Sequence, residues 1–566
     1  MAHKNSVLRI NVFALLTMCL VVTGCQKQNP ASSNGDSSQQ SSSSSISEPS
    51  YNIVRPEFTP DYDNYDYENS EAPFGVNMTY YTDAYSRGFS WLTGIDTEDT
   101  ELYLVKSDKG ADADFNDAQA IFGSSNKLTF GTNGSVTGEG LDSSKKGSSN
   151  SKEIKLVSHK VHVENLEKGQ AYSYKIGSQS GYYYGAFIVD KEEPKSITAI
   201  QLSDAQTKDL TKTNVWRNTF THAVEKADKD LDMVLFNGDQ FDQNNGTSGA
   251  TSDKDPFRLF RYAKAIDVIQ DYKFNLPYMS SSGNHEPASA YSHYLMSDID
   301  YAGYDYKGAY YSYDYGFAHF VVLNTNTVDD EQINWLKNDL DDAYNAKWKI
   351  VMMHISPYST GDHCQSKSSS PHDSIVEKFT PIFSQKHVDL VLQAHDHTYN
   401  KTLPYKWDAA GYTKTARDES VVNLEPETET KGEITYDKNP NGTYYVTTGA
   451  AGHRNGAAEE DGIWAECVKD GDEIKGLNPS KTFTDISKTK YAIEVGTLTQ
   501  ENEYEPYTHG GYTSDQHYEI GDPASGNVNA AMFGVLNLTQ DTLSYYSYTV
   551  NDDTVKLFDT LDVLKA

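Results

Sequence analysis

From residue 195 onward, apolar runs of strand length alternate with amphipathic runs of helix length. This alternation constrains the fold of the chain more than any other feature. The strand-like runs are 196–202, 232–236, 318–323, 348–353 and 388–393, and the helix-like runs are 214–229, 257–272, 331–344 and 374–385. Such an alternation predicts βαβ units and a parallel or mixed sheet. Open α/β sheets bind ligands at the carboxyl ends of their strands, so chemistry is expected there.

Polar residues of metal-binding type follow the strand-like runs. They lie in Ser203-Asp204-Ala205-Gln206, Asn237-Gly238-Asp239-Gln240, Gly283-Asn284-His285-Glu286, His354 and Ala394-His395-Asp396-His397. Carboxylate, amide oxygen and imidazole suit zinc, manganese or iron. A carboxylate shared by two such ions can hold them about 3.5–4 Å apart. A single His-x-His pair would be weak evidence, but this ordered series predicts a metal site.

Each of these residues also has a structural interpretation when it is taken alone. Asp204 and Asp239 could cap turns or helices, since aspartate is favoured at both. His285 could be an ordinary loop histidine. Their places in the series favour metal binding for the aspartates and a catalytic role for His285. Glu286 is expected to orient a histidine rather than to bind metal. The remaining histidines that fall on predicted helices or strands are expected to be structural: His222, His293, His319 and His387.

The ordered series resembles the calcineurin-like metallophosphoesterase superfamily, whose motifs run D-x-x, G-D, G-N-H-[DE], a lone His and G-H-x-H. The segment RGFSWLT at residues 87–93 and the final strands make residues 70–566 similar to the purple acid phosphatase branch. The resemblance implies a four-layer αββα catalytic sandwich, of mixed α/β class, over residues 194–566. It also implies an acid-phosphatase-like hydrolase of phosphate monoesters, with a phosphodiesterase or nucleotidase as the alternative.

The resemblance further implies a role for each motif residue. Two divalent or trivalent ions (Fe, Zn or Mn) would be bound. The first would be held by Asp204, Asp239 and His397, and the second by Asp239 as the bridging ligand together with Asn284, His354 and His395. His285 would stabilise the transition state or protonate the leaving oxygen, while water activated by the metal ions attacks phosphorus.

Three positions depart from the family pattern. Asp242 stands where purple members carry the tyrosine whose iron complex gives the colour, so no purple absorption band is expected. Gln206 stands where many non-purple relatives have a histidine ligand, and its amide could bind metal weakly or hold a water. Ala394 replaces the glycine of the last motif. The roles of Gln206, Asp242 and Glu286, as ligands or as neighbours of ligands, stay open.

Residues 51–193 read as an all-β region. Segments 87–93, 101–106, 160–164, 171–177 and 182–189 alternate apolar and polar residues, whereas residues 123–150 are rich in Gly, Ser and Asn and are expected to be loop. About seven strands in this length predict an immunoglobulin- or fibronectin III-like β-sandwich. In the catalytic region, residues 405–439 and 455–521 are polar and strand-poor, and are interpreted as inserted loops. Three further strands are expected at 531–537, 542–550 and 554–564.

The first 24 residues have the features of a secretory signal peptide. Lys4 and Arg9 precede an apolar run at 10–22, which ends in Thr23-Gly24-Cys25. This pattern predicts cleavage before Cys25 and lipidation of that cysteine, which would anchor the protein on the extracytoplasmic side of a bacterial membrane. An ordinary signal peptide followed by a chance cysteine is the alternative. Residues 25–50, rich in Ser and Gln, are expected to form a disordered tether.

Charge and cysteine content limit the possible partners. The formal net charge is −33, and no basic stripe is present, which argues against a nucleic-acid-binding surface. The expected partners are a phosphorylated small molecule and, through the anchor, the membrane. A disulfide between Cys364 and Cys467 is permitted outside the cytoplasm but is not determined by the sequence. From a different functional class, the rival is a catalytically weak surface-binding lipoprotein whose β-sandwich grips a polysaccharide or a protein.

Overall fold

The structure of the chain is a computed structural model. The described residues are 51, 53, 69–97, 99–131, 136–138, 153–178, 181–190, 193–207, 210–227, 231–241, 265–286, 298–305, 308–358, 372–395, 397, 399–407, 409, 421–423, 426–452, short strands between 468 and 528, and 531–565. The predicted signal peptide, Cys25 and the predicted tether lie outside them. In this part of the chain no helix combines the length and apolarity needed to cross a membrane.

The N-terminal region consists of strands that form two antiparallel sheets. The strands are β1 (Phe74–Thr79), β2 (Arg87–Gly94), β3 (Glu101–Lys106), β4 (Ile121–Phe122), β5 (Ser124–Gly131), β6 (Val136–Gly138), β7 (Glu153–Val163), β8 (Ala171–Ser178) and β9 (Gly181–Ile188). One sheet has the order β1-β2-β7-β5-β6 and the other β4-β3-β8-β9. Alternate residues of both sheets, such as Val76, Phe89, Trp91 and Tyr174, share one buried cluster. An all-β region is therefore present, while the fibronectin III assignment and the boundaries 51–193 stay predictions.

The prediction that residues 123–150 are loop was wrong for β5 and β6. Strand β5 pairs with β7 along its whole length, from Ser124 opposite Lys160 to Gly131 opposite Glu153. The sequence of β5 predicted a loop because most of its residues are polar, although Leu128 is fully buried. Cross-strand pairing with β7 outweighed the low strand propensity of Ser, Asn and Gly.

The region that follows β9 alternates strands and helices, as predicted. Its elements are β10 (Ser196–Leu202), α1 (Leu210–Ala227), β11 (Met233–Phe236), α2 (Gln270–Lys273), β12 (Tyr278–Ser280), β13 (Gly303–Asp305), β14 (Gly308–Tyr315), β15 (Ala318–Val322), α3 (Asp330–Asp342), β16 (Trp348–Ile355), α4 (His372–Lys378), α5 (Thr380–Lys386), β17 (Leu390–Ala394), β18 (Tyr399–Thr402), β19 (Tyr405–Trp407), β20 (Val421–Asn423), β21 (Glu427–Lys431), β22 (Ile434–Lys438) and β23 (Tyr444–Thr448). The remaining strands are β24 (Val468–Asp470), β25 (Glu473–Lys475), β26 (Thr482–Phe483), β27 (Ile493–Glu494), β28 (Thr497–Leu498), β29 (Tyr504–Glu505), β30 (Gly521–Asp522), β31 (Asn527–Val528), β32 (Ala531–Thr539), β33 (Thr542–Asn551) and β34 (Thr554–Leu564).

Two mixed sheets of eight strands each form the centre of this region. The first has the order β12-β11-β10-β32-β33-β34-β22-β21 and the second β13-β14-β15-β16-β17-β23-β18-β27. Strands β10, β11 and β12 run parallel in the first sheet, and β15, β16, β17 and β23 run parallel in the second. The carboxyl ends of the parallel strands therefore gather at one edge of each sheet.

The burial pattern of β16 explains how the layers pack. Ile350 and Met352 belong to the large core that also contains Leu202, Val234 and Leu536 of the first sheet. Val351 and Met353 belong instead to a second core, with residues of α3, α4 and α5 such as Leu336, Ile375 and Phe383. Because side chains alternate across a strand, the second sheet packs on the first with one face and on helices with the other. Helix α1 covers the first sheet through Trp216 and Phe220, which gives the predicted four-layer αββα sandwich.

The first predicted insertion, residues 405–439, is not strand-poor as expected. It contains β19 to β22, and the β21–β22 hairpin extends the first sheet beside β34. Strand β21 gave no strand signal in the sequence, because its residues are exposed or only partly buried and show no apolar alternation, and β19 and β20 are only three residues long. The second predicted insertion, 455–521, lies outside the described residues except for the short strands β24 to β30.

Candidate metal centre

The motif residues lie where the parallel strands end. Asp204 follows β10 and Asp239 follows β11, in the first sheet, and the segment that carries Asn284 and His285 follows β12. In the second sheet His354 lies near the end of β16, and His395 directly follows β17. Two packed sheets thus present their carboxyl ends to one place, as the strand–helix alternation predicted.

Asp239 lies at the centre of this group. Its Oδ2 atom is 3.2 Å from Nε2 of Gln206, 3.4 Å from Nε2 of His354 and 3.8 Å from Nε2 of His285. Its Oδ1 atom accepts a hydrogen bond of 2.9 Å from the backbone N–H of His285. Asp239, His354 and His395 each offer one ligand atom, and these atoms lie within 4.8 Å of one another. The group has the size and the donor types of a transition-metal site.

His354 is oriented by a backbone carbonyl. Its Nδ1 atom lies 2.7 Å from the carbonyl oxygen of Asn237, which can only accept, so Nδ1 carries the proton. In the neutral ring the lone pair of Nε2 then points at Oδ1 of Asn284, 2.9 Å away. Two acceptors at that distance need a proton or a cation between them. This arrangement is the one that metal-binding histidines adopt.

Asp204 supplies the clearest test of whether the residues fit a metal. The residue is fully buried, and in the described part of the chain neither carboxylate oxygen accepts a hydrogen bond. Its Oδ1 atom lies 3.3 Å from Nε2 of His397. A buried carboxylate without hydrogen bonds is costly unless a cation compensates its charge. The donor set therefore fits bound metal.

Backbone strain is concentrated at the same residues. Asp204, Gln206, Asp239 and His395 have positive φ angles of 51°, 40°, 57° and 74°. Non-glycine residues rarely adopt this conformation, and it persists where the surrounding structure enforces it, often at functional sites. Here the positive φ angles turn the backbone sharply after each strand and bring the side chains into the site.

Glu286 holds the backbone of the site rather than pointing at it as a ligand. Its carboxylate accepts hydrogen bonds from the N–H groups of Asp239 (3.0 Å), Gln240 (2.6 Å) and Gly283. A side chain on Gly283 could not fit, because a Cβ atom there would lie 2.1 Å from Oδ1 of Asp239. Burial, together with the charge of Asp239, raises the pKa of Glu286 to about 8. The sequence predicted that Glu286 orients a histidine, whereas these hydrogen bonds go to backbone N–H groups.

The charges at the centre depend on one another. Burial alone would raise the pKa of the Asp239 carboxyl, but positive charge on His354 and His285 holds it well below its ordinary value. Burial lowers the pKa of His354, and the negative charge of Asp239 more than reverses this, to about 9. In the metal-free protein, protonated histidine therefore supplies the positive charge. Bound cations would replace that proton.

Several predicted residues cannot be placed. Asp242, Cys364 and Cys467 lie outside the described residues, so neither the tyrosine replacement nor the disulfide is tested. Three of the four histidines that were expected to be structural are among the described residues. His319 is a strand residue, His222 lies in α1, and His387 follows α5 in a left-handed conformation; His293 is not described.

The motifs did not reveal a buried polar network beneath the centre. The Asn237 side chain donates to the carbonyls of Met353 (3.0 Å) and Leu392 (2.8 Å), and accepts from Nε2 of Gln201 at 2.9 Å. It thereby ties the first sheet to the strands that deliver His354 and His395. Gln201, in turn, accepts a hydrogen bond from Tyr545 of β33 at 2.7 Å. The available signal was a polar glutamine within the apolar strand β10, because buried polar groups are nearly always hydrogen-bonded.

Comparison with known proteins agrees with this geometry. Residues 200–399 match the calcineurin-like phosphoesterase family. The chain is 26% identical over 277 residues to acid phosphatase type 7 of Mus musculus, covering 44% of this chain and 58% of that protein. It is 26% identical over 327 residues to acid phosphatase type 7 of Homo sapiens, covering 53% and 65%. The chain thus spans less than two thirds of the length of these relatives.

A solved structure shows the same fold. The purple acid phosphatase from yellow lupin (Lupinus luteus) seeds superposes with a TM-score of 0.54 at 14% identity, covering 88% of this chain and 75% of that one. Residues 200–399 thus match the calcineurin-like phosphoesterase family, and the chain is similar in sequence to acid phosphatases and shares the fold of a purple acid phosphatase. The resemblance inferred from the motifs is confirmed.

Proposed function

We propose that this protein is a metal-dependent phosphatase that hydrolyses phosphate monoesters of small molecules. The observation that carries the proposal is the buried carboxylate of Asp204, which accepts no hydrogen bond from the described residues, beside the cluster of Asp239, His354 and His395. Such a set is costly to bury without cations, and its members come from strand ends that the phosphoesterase motifs identified. The acid phosphatases among its relatives support the same reaction class.

The chain offers ligands for two metal ions. Asp204 and His397 would hold the first ion, Asn284, His354 and His395 the second, and Asp239 would contact both. When bound, the ions would supply the Lewis acidity that activates water and neutralises charge on the phosphoryl oxygens. The carbonyl of Asn237 would keep the proton of His354 on Nδ1, so that Nε2 stays available.

His285 would act on the substrate itself. Its side chain is 30% exposed, whereas the Asp239 carboxylate beside it is 1% exposed. An imidazole at this boundary can reach a bound phosphate ester and donate a proton to the departing oxygen. The backbone N–H of His285 meanwhile holds Oδ1 of Asp239, which ties the position of this residue to that of the ligand.

Metal analysis and an ester assay test the proposal together. Purified protein should contain about two metal ions per chain, as the ligand set allows, and should hydrolyse an aryl phosphate monoester faster than the matching diester. Asp239→Asn should abolish both properties. As a matched control, Asp339→Asn makes the same change in a cluster away from the site and should retain both. Faster turnover of the diester would instead identify a phosphodiesterase. Absence of metal and turnover with every divalent ion supplied would exclude an enzyme and favour the surface-binding lipoprotein.

We also infer that the protein is lipid-anchored at Cys25 on the extracytoplasmic side of a bacterial membrane. The support is the sequence pattern alone: charged start, short apolar run and Thr23-Gly24-Cys25. Radiolabelled palmitate should be incorporated into the wild-type chain and not into Cys25→Ala. Equal labelling of the two chains would refute the anchor.

A further inference from the structure

A loop that the phosphoesterase motifs do not include also reaches the edge of the sheet where the ligands gather. It follows β15, a parallel neighbour of β16, and runs through Asn324, Thr325 and Asn326 to α3. Gln332 of α3 holds its backbone from inside. The Gln332 Oε1 atom accepts from the N–H of Asn324 at 2.8 Å, and its Nε2 donates to the carbonyls of Asn324 (3.0 Å) and Thr327 (2.8 Å). Three hydrogen bonds from Gln332 therefore fix the backbone of this loop.

Two side chains of this loop contact segments that carry predicted ligands. Oγ1 of Thr325 accepts a hydrogen bond of 3.0 Å from the backbone N–H of Ile355, the residue after His354. Nδ2 of Asn326 donates to the carbonyl oxygen of Gly283 at 3.0 Å and lies 3.4 Å from that of Ser282. Asn326 thus contacts the turn immediately before Asn284 and His285.

The turn is clamped between this asparagine and Glu286. Glu286 accepts the N–H of Gly283, while Asn326 donates to the carbonyl of the same residue. That carbonyl belongs to the planar peptide group that joins Gly283 to Asn284. The N–H of Gly283 belongs to the preceding peptide group, so the two hydrogen bonds hold the peptide groups on both sides of Gly283 and set the direction in which the Asn284 and His285 side chains leave the backbone. Asn324 packs behind the turn, with Gly308 between them. A Cβ on Gly308 would lie 2.6 Å from Oδ1 of Asn324 and 2.9 Å from Cβ of Ser282.

We propose that Asn326 is a positioning residue of the metal centre, which fixes Asn284 for metal binding and His285 for proton transfer through its hydrogen bond to Gly283. The claim that Asn326 positions His285 rests on the proposed function. The claim that Asn326 positions Asn284 needs only that the site binds metal.

Metal binding by the full-length chain tests the first part without turnover. In a titration with Mn²⁺ alone, Asn326→Ala should weaken binding about tenfold, the usual range for a residue that orients a ligand. In an Asn284→Ala background the same change should have no further effect, because the group it orients is gone. Asn218→Ala is the matched control: it removes a comparable Nδ2 hydrogen bond, to the carbonyl of Asp552, a residue outside the predicted ligand set, and should bind Mn²⁺ as the wild type does.

Turnover tests the second part. Asn326→Ala should lower kcat about tenfold at saturating Mn²⁺ with little change in KM, and should add nothing in a His285→Ala background. Asn326→Ser, which keeps a shorter donor and the fold, should give intermediate values in both assays. A merely structural role would instead produce additive losses in both backgrounds.

The outcomes separate the inference from the proposed function. Mn²⁺ binding without hydrolysis by the wild type would refute the function and leave the titration as the test of Asn326. Unchanged binding and kcat in both Asn326 variants, or additive losses, would refute the positioning role. No Mn²⁺ binding by the wild type would overturn both.

Discussion

The second sheet has a cluster of histidine and carboxylate side chains at each end. The two clusters differ in how completely their polar atoms are hydrogen-bonded. At the amino end, Nδ1 of His319 lies 2.8 Å from Asp314 and Nε2 lies 2.9 Å from Asp339, so both ring nitrogens are paired. At the carboxyl end, His354 and Asp239 adjoin Asp204, whose two oxygens accept no hydrogen bond among the described residues.

The comparison separates a structural ion pair from a candidate metal site built of the same residue types. Both histidines have a pKa raised to about 9, because nearby carboxylates outweigh the effect of burial. A perturbed pKa therefore does not distinguish the clusters. What distinguishes them is excess acceptor capacity, together with the positive φ angles that occur at Asp204 and Asp239 and not at Asp314 or Asp339.

The largest expected effect comes from Asp204→Asn. Removal of the charged ligand should lower kcat/KM about a thousandfold or more, in line with losses of essential groups in other enzymes. The metal-free variant should nevertheless be more stable than the metal-free wild type, by about 1 kcal/mol, because a neutral amide replaces a buried charge whose oxygens accept no hydrogen bond among the described residues. Urea denaturation in chelator measures this gain. The matching Asp339→Asn should show the opposite, with activity kept and stability lost, and loss of stability in both variants would remove the distinction.

Next in size is Asn237→Leu, which removes the hydrogen bonds that tie the sheets beneath the centre. Gln201 and the carbonyls of Met353 and Leu392 would lose their partner, which should cost about 2–3 kcal/mol of unfolding free energy. Metal affinity should also fall about tenfold. Denaturation and Mn²⁺ titration report the two effects. Ser312→Ala, which removes one hydrogen bond to Asp339, is the control at the other end and should leave metal affinity unchanged.

His319→Gln should produce a smaller, pH-dependent loss of stability. The pKa of His319 is about 9 in the folded chain against 6.5 for an unperturbed histidine. Its contribution is therefore complete below about pH 6.5 and is lost as the pH rises toward about 9. The loss should be about 2 kcal/mol at pH 6, since one of its partners, Asp314, is 76% exposed and screened by solvent. Denaturation at pH 6 and pH 9.5 measures it, and equal losses at both would contradict the charged-pair interpretation.

The smallest effects should come from relieving backbone strain. Asp552 has φ 50° in the turn between β33 and β34, and Gln206 has φ 40° at the centre. Replacing Asp552 with glycine should raise stability by less than about 1 kcal/mol. Asp552→Gly should keep full activity, whereas Gln206→Gly should lower metal affinity because the amide beside Asp239 is lost. Equal activity of both variants would show that Gln206 has no role at the centre.

The sequence predicted the fold where apolar periodicity was strong. The ranges expected for β3, β8 and β15 to β17 agree with the structure to within about two residues, because each is buried on at least one face and carries that burial in its composition. It failed at β5 and at β19 to β22. Strands β5 and β21 are mostly polar and pair with a neighbour through the backbone, which leaves little trace in side chains, while β19 and β20 are only three residues long.

The sequence by itself determined which residues could form the metal centre, since aspartate, asparagine and histidine at successive strand ends are recognisable by type and order. Tertiary structure alone decided that both ring nitrogens of His319 are paired, while the Asp204 oxygens accept no hydrogen bond among the described residues. It also decided that Asn237, Gln201 and Asn326 support the centre. The reason is physical: hydrogen-bond satisfaction depends on which groups from distant parts of the chain meet in space. Gln201 and Tyr545, for example, are bonded at 2.7 Å across 344 positions of sequence.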